Sequence, residues 1–70
     1  VNIYDIYDAD RTLLYSDCEI ITGMEAIALI ELGCLTPEDI AFVRDVPTKE
    51  GLNIINSNTS ACLFRLTRKN

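Results

Sequence analysis

The 70-residue chain contains no histidine and no tryptophan. Without an imidazole neither a Ser-His nor a Cys-His pair can form, which removes nucleophilic catalysis of that kind. Its three glycines, Gly23, Gly33 and Gly51, stand isolated, so no Gly-rich phosphate loop can be built from them. Three cysteines, Cys18, Cys34 and Cys62, are odd in number and widely spaced. That spacing fits neither a disulfide framework nor a Cys-x-x-Cys zinc ribbon. Each lies in apolar sequence surroundings, where a free thiol packs as a small hydrophobe. They read as buried and reduced, which points to a cytoplasmic setting. No apolar run is long enough to span a membrane, and these residues hold no signal-peptide pattern. The chain opens with Val1, as a trimmed start or a literally translated non-standard start codon would give.

Apolar residues make up 49% of the chain, which argues for a folded domain and against disorder. Residues 1–70 read as one small α+β domain. A chain of this length buries only about 60% of the surface its unfolded form exposes, so its stability is marginal.

Charge is divided along the sequence. All eleven acidic residues fall in the first fifty positions, against Arg11, Arg44 and Lys49, for a net charge of −8 there. The last twenty residues carry Arg65, Arg68 and Lys69 and no acid, for +3. An acidic surface repels nucleic acid and favours basic partners.

Residues 2–7 are rich in β-formers, Asp8-Ala-Asp-Arg11 offers turn chemistry, and Thr12 to Ile21 reads as a second strand. In that strand Leu14, Cys18 and Ile20 alternate with Tyr15, Asp17 and Glu19, and the two strands predict a hairpin. Thr22-Gly-Met-Glu25 spells a capping box, with Ile21 placed as a hydrophobic staple against Ala26. The helix runs to about Leu32, and Gly33 is placed to end it. Thr36-Pro37 opens a second helix, with Glu38 and Asp39 in its first turn and Leu35 and Ile40 as its staple. This helix is expected to end before Pro47. Leu52 to Asn56 and Ser60 to Arg68 read as strands joined by a Ser57-Asn58-Thr59 turn. The expected order is ββααββ, a small antiparallel sheet of two hairpins with two short helices on one face.

The first predicted helix has charge only at Glu25 and Glu31, with Met24, Ala26, Ile27, Ala28, Leu29, Ile30 and Leu32 around most of its circumference. A surface helix normally keeps a polar face. An exposed third side would be an apolar patch of the kind that marks an interface.

One segment carries letters associated with chemistry. Ile6-Tyr-Asp8-Ala-Asp10-Arg-Thr12-Leu-Leu-Tyr-Ser-Asp17 resembles the first motif of the haloacid dehalogenase-like phosphatases, an apolar strand followed by Asp-x-Asp-Gly-Thr-Leu. The resemblance implies a nucleophile at Asp8, a general acid/base at Asp10 and a Mg²⁺ ion beside them. It covers about a dozen residues. The family's glycine is Arg11 in this sequence, and the chain is too short for the parallel-sheet domain that supplies the remaining catalytic groups. The same segment partly matches calcium-loop spacing through Asp8, Asp10, Thr12, Ser16 and Glu19, but the obligatory turn glycine is Leu13. An Asp-rich hairpin turn accounts for the same residues.

Two helices joined by Gly33-Cys-Leu also suggest helix-turn-helix. Glu38 and Asp39 at the second helix start would aim carboxylates at phosphates, where a recognition helix places Arg, Lys, Asn or Gln. Arg65, Arg68 and Lys69 are too few for strong nucleic-acid binding.

The expectation is therefore a non-enzymatic, cofactor-free and metal-free acidic protein that binds another protein with a basic surface, as a regulator or inhibitor. Phage and mobile-element proteins that block host nucleic-acid-processing or defence enzymes share this composition by analogy. The expected partner-binding residues are Tyr7, Tyr15, Asp17, Glu19, Glu38 and Asp39, because Tyr anchors interfaces and carboxylates meet Arg and Lys. Two alternatives stand beside it: a homo-oligomeric accessory domain, with a homodimer as its simplest form, and Mg-dependent phosphatase-like chemistry at Asp8 and Asp10.

Overall fold

A computed structural model describes residues 1–69. Strands β1 (Asn2–Asp8), β2 (Leu13–Ile20), β3 (Val43–Pro47), β4 (Gly51–Asn56) and β5 (Cys62–Arg68) form one sheet in the order β2-β1-β5-β4-β3. Every neighbouring pair is antiparallel. The first and last strands lie side by side at the centre, with Ile6 opposite Leu66. Between β2 and β3 the chain crosses one face through helix α1 (Glu25–Glu31) and a 3₁₀ helix (Pro37–Phe42).

Alternation along the strands builds the core. Tyr4 and Ile6 of β1, Ile54 of β4 and Leu66 of β5 point to the covered face, where Ile20, Leu29 and Leu35 close over them. Cys18, Leu52 and Phe64 pack around this cluster. The expected α+β class, the antiparallel sheet and both hairpins are present.

The second half of the expected helical region is instead a strand. The chain leaves the 3₁₀ helix at Phe42, and Val43–Pro47 pairs with β4 from Val43↔Asn56 to Pro47↔Leu52. β-branched Val43 and Val46 suit a pleated surface, and Pro47 is tolerated because it ends an edge strand. The sheet thus has five strands and a third hairpin, and the second helix shrinks to one short 3₁₀ segment.

Helix α1 also starts later than its capping signal. Thr22 takes a hydrogen bond from Asn2 Nδ2 at 3.4 Å, and Gly23 adopts a left-handed φ of 91°. The helix begins at Glu25 with Met24 at the cap position and no side-chain cap. Glu25 turns inward, where its carboxylate accepts the Gly23 N–H at 3.1 Å and the Tyr4 hydroxyl at 3.4 Å. Among the described residues it is the one buried charged side chain, 3% exposed, and these donors satisfy it. Ile21, expected as a staple, is 65% exposed, because the chain turns at Gly23 before the helix begins.

The other end of α1 follows the sequence. Gly33 has φ 81°, its N–H donates to the Ile30 carbonyl, and the Cys34 N–H donates to the Leu29 carbonyl at 2.8 Å. This is the Schellman pattern. The start of the 3₁₀ helix is likewise tied as expected: the Asp39 carboxylate accepts the Thr36 N–H at 3.0 Å. Leu35 is buried, whereas its expected staple partner Ile40 is 41% exposed.

Strand β2 departs from simple alternation. Its register slips against β1 between Tyr4↔Cys18 and Ile6↔Tyr15, where Asp17 takes φ 56°. The bulge rotates Tyr15 onto the helix side, and its hydroxyl donates to the Leu32 carbonyl at 3.0 Å. Tyr15 therefore does not share a face with Asp17 and Glu19. The three cysteines are free and half-buried, not fully buried, because β2 is an edge strand and the other two flank loops. No helix among the described residues is long and apolar enough to cross a membrane.

Candidate functional site

The β1–β2 turn is built by Asp8. Its Oδ1 accepts the backbone N–H groups of Asp10 and Thr12, each at 2.9 Å. Its own N–H donates to the Thr12 carbonyl, and Arg11 completes the turn at φ 66°. An Asx turn of this kind is what an Asp-rich hairpin loop provides.

Beside this turn lies a cleft of about 520 Å³, between the hairpin loop and the segment running from α1 into β3. Three carboxylates line it, Asp8 and Asp10 from the turn and Asp39 from the 3₁₀ helix, together with the rings of Phe42 and Phe64. None of the three forms an ion pair with a described residue. Donation from the Thr36 backbone N–H, then from the Thr36 side chain, holds the Asp39 carboxyl below its ordinary range, so it is ionised at neutral pH. Asp8 and Asp39 each accept backbone N–H groups on one carboxylate oxygen, Oδ1 and Oδ2 respectively. Phe42 is 54% exposed at the rim. An ammonium or guanidinium could enter here with its methylene stem against the rings. No group of three or more His, Cys, Asp or Glu among the described residues is arranged to hold a metal ion.

The six expected binding residues do not form one patch. Tyr7 lies on the face away from α1, opposite Arg65. Tyr15 is on the helix side. Asp17 takes the Lys69 Nζ at 2.7 Å, and its own N–H donates to Asp5 Oδ1 at 3.1 Å. Hydrogen bonding to Asp17, with the charges of Asp17 and Asp5 beside it, raises the Lys69 pKa. Glu19 borders a groove with Ile21, Met24 and Ile27 at the flank of α1. Glu38 is exposed on the 3₁₀ helix. Only Asp39 belongs to the acidic cleft. Scattering follows from the bulge in β2 and from the placement of β2 and β3 at opposite sheet edges.

Sequence reading did not assign Asp8, Asp10, Phe42 and Phe64 to a common binding site. The acid-rich turn was a visible signal for the first two. Nothing local joins them to Asp39, Phe42 and Phe64, far along the chain, since closure of the sheet brings these together.

At the flank of α1, Met24 and Ile27 are 41% and 43% exposed, and Ile21 more so. The third side of the helix is thus partly open. Alongside it runs edge strand β2, paired only with β1 and carrying exposed Leu13, Leu14 and Tyr15. Burial raises the pKa of the Cys18 and Cys34 thiols, with Asp5 and Asp17 adding to the effect at Cys18 and Cys18 itself adding to it at Cys34. Both are therefore weak nucleophiles at neutral pH.

No family model matches this sequence, and no curated protein or solved structure matches it either.

Proposed function

We propose that this is a small, non-enzymatic protein-binding module that docks a basic side chain of its partner in the acidic cleft. One observation carries the reading. Asp8, Asp10 and Asp39 line a single cleft with two phenylalanine rings, and none is ion-paired to a cation among the described residues. Elsewhere Lys69 meets the carboxylates of Asp5 and Asp17 from within the chain. A partner Lys or Arg would supply what the cleft lacks, and the net charge of −5 would steer a basic surface toward it. Regulation or inhibition of a nucleic-acid-processing enzyme, whose surface is basic, is the role this chemistry suits.

The test is affinity capture from bacterial lysate with nuclease present, comparing wild type with the Asp10→Lys/Phe42→Ala double variant. The Asp10 side chain has no hydrogen bond to a described residue and Phe42 is 54% exposed, so melting should be little changed. A stoichiometric protein retained by wild type and lost from the variant is expected. Retention unaffected by the variant would overturn the cleft as the docking point. A parallel Asp17→Lys/Glu19→Lys variant reports on the β2 edge.

A second reading, self-association, is favoured by the exposed apolar flank of Ile21, Met24 and Ile27 beside edge strand β2. Unpaired edges and apolar patches together favour association. Light scattering at micromolar concentration would show a dimer that Ile27→Glu dissolves.

A further inference from the structure

The sheet face that α1 leaves open carries an arginine with no ion-pair partner among the described residues. Arg65 lies in the middle of β5, opposite Tyr7 of β1 and Asn53 of β4. Its Nε is buried and has no hydrogen-bond partner among the described residues. Buried polar groups are nearly always paired, so an orphaned cationic donor calls for an explanation.

A second arginine lies close by. Arg11, held at left-handed φ in the β1–β2 turn, lines the same two adjoining cavities as Arg65, of about 270 and 200 Å³. Tyr7 and Thr67 complete the wall of the smaller one. Glu50 borders the larger cavity, yet neither guanidinium forms an ion pair with it or with any other described carboxylate. In a chain with eleven acidic residues, two arginines share a cavity and neither is ion-paired to a described carboxylate. Two like charges lining one cavity favour an anion between them.

We propose that this face binds a phosphate-class oxyanion between Arg11 and Arg65, with Tyr7 and Thr67 beside it. A phosphoryl group carries a charge of about −1.5 to −2 at neutral pH, which balances two guanidiniums. Arginine's planar fork of donors matches such an oxyanion. The site is independent of the acidic cleft, so either assignment can fail while the other stands.

The test is a titration of the ¹⁵N-labelled chain with sodium phosphate, followed by amide shifts against sodium chloride at matched ionic strength. Saturable shifts concentrated at Tyr7, Arg11, Arg65 and Thr67 are expected, at least tenfold weaker in Arg11→Asn. Asn tolerates the left-handed turn position, so this variant keeps the fold and leaves Arg65 in place. Equal shifts with chloride, an unchanged Arg11→Asn titration, or acetate binding as tightly as phosphate would each overturn the proposal. Adenosine monophosphate serves as a second probe. Tighter binding than inorganic phosphate at the same four amides identifies a nucleotide phosphoryl group as the source, and equal binding identifies free phosphate.

Discussion

The two faces of the sheet are made by the same strands and have opposite characters. On the covered face Tyr4, Ile6, Ile54 and Leu66 are each at most 2% exposed and pack beneath Leu29. One residue away on the same strands, Asp5, Tyr7, Asn53, Arg65 and Thr67 are half-buried and face away from α1. A period of two assigns adjacent residues to different environments. The covered face holds the domain together and the open face is left free to carry charge. A helix of seven residues is enough cover for one face only.

Neighbouring residues on β5 offer the sharpest contrast. Leu66→Ala should destabilise by about 2–5 kcal/mol, the range for emptying a buried leucine site. Thr67→Ala, one residue along and on the open face, should cost at most about 1 kcal/mol. Urea denaturation of both variants checks this, and equal losses would show that the open face is covered in solution. Replacing Glu25 by Ala removes the acceptor for the Tyr4 hydroxyl and the Gly23 N–H. The expected loss is about 1–3 kcal/mol, measured in the same way. Gly33→Ala strains the left-handed cap that ends the cover, for about 1–2 kcal/mol, and thermal melting should register it.

The smallest effect concerns Asp45, which is exposed on edge strand β3, so solvent screens most of its desolvation. Asp45 lies opposite Ile54, and its carboxyl pKa is raised above 3.8, first by desolvation and then by the charge of Glu25. A carboxyl raised in the fold is less favourable when ionised, so its cost is full above the folded pKa. That cost fades as pH falls toward the unfolded value. Asp45→Asn should therefore be more stable than wild type near neutral pH by a few tenths of a kcal/mol, within the range of surface changes. The advantage should vanish below about pH 3.8. Denaturation midpoints at neutral and acid pH test the sign, and an advantage that grows on acidification would reverse it.

Much of this was legible locally. Alternation of Cys62, Phe64 and Leu66 with Leu63, Arg65 and Thr67 placed β5 correctly, and Gly33 ended α1 where a left-handed residue was expected. Thr36 and Pro37 marked a helix start but could not tell a 3₁₀ turn from a longer helix. The deciding factor was β4, which offered Val43–Pro47 a partner and drew it into the sheet. Thr22 and Glu25 spelled a capping box, yet Glu25 was taken by Tyr4, twenty-one positions away, a competition invisible to a four-residue motif.

The sequence by itself determined the local vocabulary: which segments are β-rich, where Asp8 must turn the chain, where glycine must end a helix, and that charge is acidic over the first fifty residues. These follow from backbone sterics and short-range hydrogen bonds, which act within a few residues. The tertiary structure alone decided the fifth strand, the bulge that rotates Tyr15, the meeting of Asp8 and Asp10 with Asp39, and the shared cavities of Arg11 and Arg65. Each depends on strand pairing between distant segments, where burial and register outweigh local preference.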